Sequence, residues 1–509
     1  MQRYLMGIDL GTSATKAALY TVDGVLVAEA VEAVPIYTPR PGVVEQENDD
    51  FYRTAAATAR RCVQESGIDA RQVAALAFDS QMAGVGTVDA QFEPATRFDS
   101  WLDMRCQPYI EYVERNFGDR VTRLTGCAPT CDHGPKILWW KGERPEAYER
   151  VVKFVMPSGY VAGKMVGLAA EEAFIDYTFI HFSGLSDAQK GTWSEELCAA
   201  LDVDMEKLPR VVAPWEVIGE VTASAAQEFG LAPGTVVAAG CGDTAAGALG
   251  AGVVAPGMLL DTAGTASVLA GCTRDFVADE RHRALLTMRS VVPGLWNPLA
   301  YIAGGGQALK WFGERFSARE DAADVSVADV IGMAEGIAPG ADGLLFSPHL
   351  GGRVCPSTPE MRGAWIGFSW SHEAGHFVRA ILESVAFEYA YYLSILHQYI
   401  PDLALSEARV IGGGARSALW NQIKADVLGV PFQRLHRSEF GTWGSAMIAG
   451  KAVGLFGDLA ETATVHAQPE GEPFYPDEAR HAQYAPLVKR YIEMQAELRD
   501  SFVQGALQS

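Results

Sequence analysis

The sequence predicts an α/β protein built from two related halves. Near the start, apolar runs of strand length come before a segment with helical periodicity. A turn containing Gly-Thr lies between two apolar strands twice, about 250 residues apart. Many of the 52 glycines fall in short clusters between β-rich runs, where loops approach ligands closely.

The first 31 residues are predicted to form strand, turn, strand, turn and strand. YLMGIDL is an apolar run, GTS interrupts it, and ATKAALY alternates; Asp23-Gly24 is a hairpin signal before VLVAEAV. After Asn48, which we expect to be an N-cap, DDFYRTAAATARRCVQES has a helical pattern with acidic residues in its first turn.

The second copy of the pattern is GMLLDTAGTASVLAGC, at residues 257–272. Here too an apolar strand ends in Asp and a Gly-Thr turn follows. The segment from Asp261 to Thr265 is one residue longer than Asp9-Leu10-Gly11-Thr12. Internal similarity of this kind indicates two related halves, and we place the domains at residues 1–253 and 254–509. The competing interpretation is that two Gly-Thr turns recur by chance.

The composition is that of a cytoplasmic enzyme. With 41 Lys and Arg against 63 Asp and Glu, the net charge of −22 excludes a general nucleic-acid or anionic-membrane binder, which needs basic surface. No apolar run reaches the roughly 18–20 residues of a membrane span, and the start lacks the features of a signal peptide. Eight scattered cysteines do not form a disulfide framework.

A Gly-Thr turn between strands presents backbone N–H groups that suit phosphate oxygens, and Lys16 could add a positive charge. Asp9, at the end of the first strand, is placed to hold a hydrated Mg²⁺. The Walker, Rossmann and protein-kinase patterns are missing from the sequence. If ATP binds, it binds in another way.

Asp243 lies in GCGDTAAGALGAG, after the apolar strand TVVAAG and before a predicted helix. A general base for a substrate hydroxyl belongs at such a junction, although Asp243 could simply cap the helix.

In IGGGARSALWNQIKADVLGVPF, a Gly-rich turn between strand and helix would let a nucleoside approach the backbone; a bare connecting turn is the alternative.

HEAGH, at residues 372–376, matches the zincin pattern HExxH. No third ligand follows at a suitable spacing, because Glu383 and Glu388 lie too close. The segment is better interpreted as a core helix capped by Ser371, with His372, Glu373 and His376 on its first turns.

Together the motifs resemble the FGGY carbohydrate kinases of the actin-like ATPase superfamily, most closely the xylulokinase group. The resemblance is nearly full length and in order: GIDLGTSATK, GVVEQEN, FDSQMAG, WLDMRC, GCGDTAAGALG, DTAGTAS, AGGGQALKWF, GGGARSALW and FGTWGSAMIAG. It implies two actin-like (ribonuclease H-like) domains around a cleft. It also implies phosphorylation of a sugar or polyol hydroxyl by ATP and Mg²⁺.

The resemblance assigns residues by position. Those matching nucleotide-contact positions are Gly11, Thr12, Ser13, Lys16, Gly264, Thr265, Gly306, Lys310, Gly413 and Gly414. Those matching the sugar site are Gln81, Met82, Ala83, Trp101, Asp103, Arg105 and Asp243. Asp243 matches the catalytic base, and Asp9 and Asp243 are the candidate Mg²⁺ positions.

Two positions depart from the family pattern. Xylulokinases usually have His where this chain has Ala83, and Asn or Gln where it has Thr244. The first change leaves the substrate open among xylulose, ribulose, a deoxyketose, erythritol, glycerol and gluconate. Expected partners are MgATP and a small sugar, without nucleic acid or membrane, and a homodimer is allowed for. The alternative from another class is an actin- or Hsp70-like ATPase switch.

Overall fold

The computed structural model describes residues 3–316 and 326–506. It contains a seven-stranded sheet in the first half of the chain and a six-stranded sheet in the second, among the described residues. None of the helices within these two ranges combines the length and the apolarity that crossing a membrane requires.

The strands are β1 Tyr4–Leu10, β2 Ala14–Thr21, β3 Leu26–Ala33, β4 Glu45–Gln46, β5 Val73–Ser80, β6 Gly86–Val88, β7 Phe98–Asp99, β8 Lys153–Val155, β9 Phe174–Asp176, β10 Ser186–Asp187, β11 Thr192–Trp193, β12 Arg210–Val212, β13 Val217–Glu220, β14 Val236–Ala238, β15 Cys241–Gly242, β16 Met258–Ala263, β17 Ser267–Gly271, β18 Leu286–Arg289, β19 Trp296–Ile302, β20 Leu345–Ser347, β21 Ala364–Ile366, β22 Glu407–Ile411 and β23 Phe432–Arg434. The helices are α1 Asn48–Ser66, α2 Gln107–Thr125, α3 His133–Glu143, α4 Pro145–Arg150, α5 Pro157–Val166, α6 Glu195–Ala200, α7 Ala223–Phe229, α8 Asp243–Gly250, α9 Gly305–Phe316, α10 Val327–Gly332, α11 Ala374–Tyr399, α12 Ala418–Leu428, α13 Phe440–Ala452, α14 Leu459–His466 and α15 Glu478–Ala506.

The two large sheets share one connectivity. The first has the order β13-β14-β5-β1-β2-β3, with β15 beside β5, and the second has the order β18-β19-β17-β16-β22-β23. In the first sheet β1, β2 and β3 pair antiparallel, and β5 and β14 add in parallel beside β1. In the second sheet β16, β17 and β19 pair antiparallel, with β18 outside β19, and β22 and β23 add in parallel beside β16. Because parallel strands end at the same sheet edge, this arrangement gathers the strand-end loops of each half.

Helix α1 covers one face of the first sheet through an apolar side that includes Phe51, Ala55 and Cys62. The predicted N-cap is wrong by one residue. Glu47 occupies the cap position, and Asn48 is the first helical residue, with its Nδ2 donating to the Thr96 carbonyl at 3.0 Å. The Asn48 side chain therefore holds a neighbouring loop instead of the helix end.

Helix α13, from the second half, packs against β1, β5 and α8 of the first half. The backbones approach so closely that a Cβ on Gly7 would lie 1.8 Å from the Thr442 carbonyl oxygen. The Tyr20 and Thr442 hydroxyls hydrogen bond at 2.7 Å, and Ser445 Oγ donates to Asp79 Oδ2 at 2.7 Å. An apolar core shared by both halves lies along this contact.

Candidate active site

The first Gly-Thr turn connects β1 to β2, and its Thr12 hydroxyl faces the predicted sugar site. Trp101 Nε1 donates to Thr12 Oγ1 at 2.9 Å, and Thr12 Oγ1 donates to Gln81 Oε1 at 3.4 Å. Gly11 and Thr12 are half-buried, whereas Ser13 is exposed. Because the Thr12 hydroxyl is engaged in these two hydrogen bonds, the donor that Thr12 can offer to a phosphate group is its backbone N–H.

Lys16 lies directly opposite Asp9 in the hairpin register. Its Nζ forms an ion pair of 3.1 Å with Glu439, which immediately precedes α13. Burial lowers the pKa of Lys16, but the Glu439 and Asp9 carboxylates outweigh burial and leave it raised. Lys16 is therefore an ammonium ion beside the turn. A phosphate would have to share it with Glu439.

Three carboxylates meet at the carboxyl edge of the first sheet. Asp9 pairs in register with Asp79, and Cys241 also pairs with Asp79, which brings Asp243 close to both. Burial raises the pKa of Asp9 to about 6 against the opposing charge of Lys16. Burial and the Asp9 charge raise the pKa of Asp243 to about 7, and they hold that of Asp79 well above its ordinary value.

Asp243 is the first residue of α8, directly after β15, as the sequence predicts. Its Oδ1 accepts hydrogen bonds from Thr244, at 2.6 Å from the backbone N and 3.2 Å from the hydroxyl. The cap position of α8 belongs to Gly242. The carboxylate is thus oriented by Thr244, and capping the helix is not its role.

The second Gly-Thr turn lacks an available carboxylate. Asp261, the counterpart of Asp9, is fully buried and forms an ion pair with the equally buried Lys424. Tyr389 donates to the other Asp261 oxygen at 2.7 Å. The two copies of the motif therefore differ in chemistry, because Asp261 is neutralised by a buried lysine, whereas Asp9 lies beside the Asp79 carboxyl group and opposite Lys16.

Glycines bring three loops against the second turn. Gly306 N donates to the Gly264 carbonyl at 3.0 Å, and a Cβ on Gly306 would lie 2.5 Å from that oxygen. On the other side, a Cβ on Gly414 would lie 2.6 Å from Ala263 Cβ, whereas one on Gly413 would meet nothing within 4 Å among the described atoms. The convergence leaves open space beside Gly413, where a flat group could approach.

The remaining nucleotide candidates lie around these glycines. Gln307 N donates to the Thr265 carbonyl at 2.9 Å, so the start of α9 rests on the second turn. Lys310, further along α9, is 59% exposed and lies 3.8 Å from Glu314. Its ammonium group is free to move toward a ligand.

The predicted sugar loop follows β5 and reaches the candidate base. Gln81 and Met82 are buried, and a Cβ on Gly242 would lie 2.6 Å from Met82 Cε. Met82 therefore packs on the residue just before Asp243. Ala83 has a φ of 59°, in the left-handed region that side chains other than Gly, Asn, Asp and His rarely adopt.

Asp103 and Arg105 are engaged with each other. Arg105 Nε donates to Asp103 Oδ1 at 2.9 Å, and its Nη2 donates to Glu45 at 2.6 Å. The second Asp103 oxygen accepts from the Val44 backbone at 2.7 Å. Both groups brace the loop that carries Trp101, whose ring lies edge-on to Tyr301 of the second half at 6.3 Å between centroids.

Sequence reasoning assigned no role to several residues of this site. Gln46 lies in GVVEQEN and Asp79 lies in FDSQMAG, two of the motifs that carry the family resemblance. Their place in these motifs was the sign in the sequence that they belong to the site. Glu439, Tyr301 and Lys424 carry no local signal, because each acts through a partner far away in the chain.

HEAGH spans the start of α11: His372 and Glu373 precede the helix, and His376 lies in its first turn as predicted. The helix begins at Ala374 with Glu373 as its cap, so the predicted cap Ser371 is wrong. His372 precedes the helix and accepts a hydrogen bond from the Ser369 backbone at 2.8 Å. Within the described ranges, no three His, Cys, Asp or Glu side chains are placed to hold a metal ion together.

Comparisons with known proteins agree with this geometry. The N-terminal domain model of the FGGY family of carbohydrate kinases matches residues 4–250, and the C-terminal domain model matches residues 260–453. The xylulose kinase of Bacillus subtilis (strain 168) is 27% identical over 505 residues, covering 98% of each chain. The gluconokinase of the same organism is 27% identical over 445 residues, 84% of this chain and 83% of that one.

The fold also matches a solved structure. The gluconate kinase of Lactobacillus acidophilus superposes with a TM-score of 0.91 at 23% identity, covering 99% of this chain and 100% of that chain. The predicted α/β fold with two actin-like domains is confirmed. The boundary between residues 253 and 254 stays a prediction.

The two domain matches, one in each half of the chain, define a kinase that transfers a phosphoryl group from ATP to a carbohydrate. The chain belongs to the FGGY family of carbohydrate kinases, and its reaction is the ATP-dependent phosphorylation of a sugar.

Proposed function

We propose that the enzyme phosphorylates a terminal hydroxyl of an uncharged, ketopentose-like sugar, with Asp243 as general base. The observation that carries the base assignment is the position of Asp243 between Met82 of the sugar loop and Asp9 beside the phosphate turn. A carboxylate held by Thr244 at this point can accept the proton of a bound hydroxyl.

The residues of the site have separate roles in the phosphoryl transfer. Asp243 removes the proton as the hydroxyl oxygen attacks the γ-phosphorus in line, and ADP leaves from the opposite side. In the two Gly-Thr turns the N–H groups of Gly11 and Gly264 donate to the Ala14 and Ala266 carbonyls and so fix the turns. The N–H groups of Thr12, Ser13 and Thr265, with Lys16, hold the phosphates as charge moves toward ADP. The loops around Gly413 receive the adenosine.

Asp9 and Asp243 fit a Mg²⁺ ion. Burial raises the pKa of both carboxyl groups, and the Asp9 charge raises that of Asp243 further; a divalent cation would relieve this repulsion. Mg²⁺ commonly binds through one or two carboxylates together with substrate phosphates. When bound there it neutralises negative charge on the transferring phosphoryl group.

Charge around the sugar loop supports an uncharged substrate. Arg105 is committed to Asp103 and Glu45, and the buried Lys136 donates to the Ser100 and Asp103 carbonyls at 3.1 and 2.8 Å. Within the described residues no uncommitted cation lines this loop. The carboxylate of an aldonate is at the opposite end of the molecule from the terminal hydroxyl that meets Asp243. Because Arg105 and Lys136 are already engaged, that carboxylate would be bound without a counter-charge, which is costly.

A coupled ADP-release assay with a panel of compounds tests the proposal. The panel is D-xylulose, D-ribulose, erythritol, glycerol and D-gluconate at saturating MgATP. We expect the best uncharged compound to exceed D-gluconate in kcat/KM by about 10² or more, since the substrate charge would be buried unpaired. Asp243→Asn serves as the control for contaminating kinases. A higher kcat/KM for D-gluconate than for every uncharged compound would contradict the proposal.

A further inference from the structure

A closed ring of hydrogen bonds joins the first phosphate turn to the sugar loop. Thr12 Oγ1 donates to Gln81 Oε1 at 3.4 Å, Gln81 Nε2 donates to Gln46 Oε1 at 2.9 Å, and Gln46 Nε2 donates to the Thr12 carbonyl at 2.9 Å. The ring thus binds Thr12 through its side chain and its backbone at once. Its three members come from three separate loops or strands.

Gln46 is the one member of the ring that is not itself a candidate sugar or nucleotide residue. Its side chain is fully buried, and its amide also donates to the Pro35 carbonyl at 3.3 Å. Gln81 is nearly as buried, and its backbone N donates to the Leu10 carbonyl at 3.1 Å. Buried, fully paired amides hold one geometry firmly, because each broken bond would leave a polar group unsatisfied.

Trp101 connects the ring to the other wall of the sugar site. Its indole N–H donates to the Thr12 hydroxyl, and its ring contacts Tyr301 of the second half. A sugar that contacts Gln81 and Trp101 therefore meets two side chains that both hydrogen bond to the Thr12 hydroxyl. Any change in their positions is transmitted to the peptide groups of the phosphate turn.

We propose that Gln46 is a positioning residue that makes nucleotide binding depend on the sugar. This inference rests on the proposed sugar site. With sugar bound, Gln81 and Trp101 are fixed, and Gln46 holds the Thr12 carbonyl so that the turn's N–H groups face the phosphates. Without sugar the turn is held less firmly and binds nucleotide less tightly. Coupling of this kind is reciprocal, so nucleotide must tighten sugar binding by the same factor.

The experiment measures the coupling directly. Calorimetry gives the Kd of MgADP with and without saturating amounts of the panel compound of highest kcat/KM. We expect wild type to bind MgADP about 5- to 150-fold more tightly with that compound present, the usual range of coupling between sites. In Gln46→Met, which keeps side-chain length but loses both hydrogen-bonding atoms, the ratio should fall below about 2-fold.

Gln433→Met is the matched control. Gln433 is also buried, and its amide donates to the Arg434 carbonyl at 2.7 Å on β23, which carries none of the candidate site residues. This variant should keep the wild-type ratio. A general loss of packing would lower the ratio in both variants, and that result would overturn the proposal.

Thr12→Val provides a second test if Gln46→Met does not fold. It removes the hydroxyl that Trp101 and Gln81 share while leaving the turn's backbone in place, so the ratio should again approach one. An unchanged ratio in either folded variant, or a ratio near one in wild type, would overturn the inference. Failure of the proposed function is separate, since it would show as preferred phosphorylation of D-gluconate by wild type.

Discussion

Replacing the same carboxylate in the two copies of the motif should produce opposite effects on stability. Asp9→Asn removes a carboxylate whose pKa is raised from 3.8 to about 6 by burial. A carboxyl group with a raised pKa destabilises the folded state increasingly as the pH rises above its ordinary pKa of 3.8, and the full effect is reached above about 6. The shift of about two units corresponds to at most about 3 kcal/mol at pH 7.5. Asp9→Asn should therefore raise the stability of the ligand-free enzyme by about 1–3 kcal/mol.

Asp261→Asn should have the reverse effect. It leaves the Lys424 ammonium fully buried without its partner, and breaking a buried pair in this way costs about 3–5 kcal/mol. The Tyr389 hydroxyl would also lose its charged acceptor. The Asp261 carboxylate is thus structural, whereas the Asp9 carboxylate is retained at a cost in stability.

Urea denaturation of the ligand-free variants at pH 7.5 and pH 5 measures both effects. The gain from Asp9→Asn should shrink at pH 5, because wild-type Asp9 is then largely protonated in the folded enzyme. Kinase activity should be lost in Asp9→Asn despite its higher stability. Equal destabilisation by the two substitutions, or a gain in Asp9→Asn that does not depend on pH, would refute the reasoning.

Four further predictions concern activity. Asp243→Asn should lower kcat by about 10²–10⁴ while MgADP binds within a few-fold of wild type; retention of more than a tenth of kcat would remove Asp243 as the base. Wild-type kcat/KM should fall as the pH drops through about 7, where Asp243 takes up a proton. Lys16→Ala should raise the KM for ATP or lower kcat with little change in calorimetric sugar affinity, and a selective loss of sugar affinity would contradict its placement. Ala83→His should raise kcat/KM for D-xylulose relative to the preferred substrate, since His tolerates the φ of 59° at this position; D-xylulose as the best wild-type substrate would contradict this expectation.

Local patterns in the sequence predicted much of the fold and the outline of the site. Both Gly-Thr hairpins, the strand-to-helix junction at Asp243 and the Gly-rich loop before α12 lie where their motifs indicated. Each of these depends on residues close together in the chain. Turn chemistry and hydrophobic alternation are therefore sufficient to identify them.

The rest depends on contacts between distant residues. Nothing near Asp261 indicates that Lys424, more than 160 residues later, neutralises it. Similarly, Asp103 and Arg105 could be assigned to the sugar site from their motif, but not to the ion pair that engages them. The cap at Ser371 was wrong because Ser369 and His372 bond to each other before α11 begins.

The packing of α13 has a consequence for synthesis of the chain. Gly7, on β1, lies against Thr442, and Trp443 fills the core shared by the two halves. Until α13 has been synthesised, the nascent first sheet has one apolar face without its covering helix. Such a surface is prone to aggregation and is what holding chaperones bind. Productive folding of this enzyme therefore depends on protecting the first half until α13 has been made.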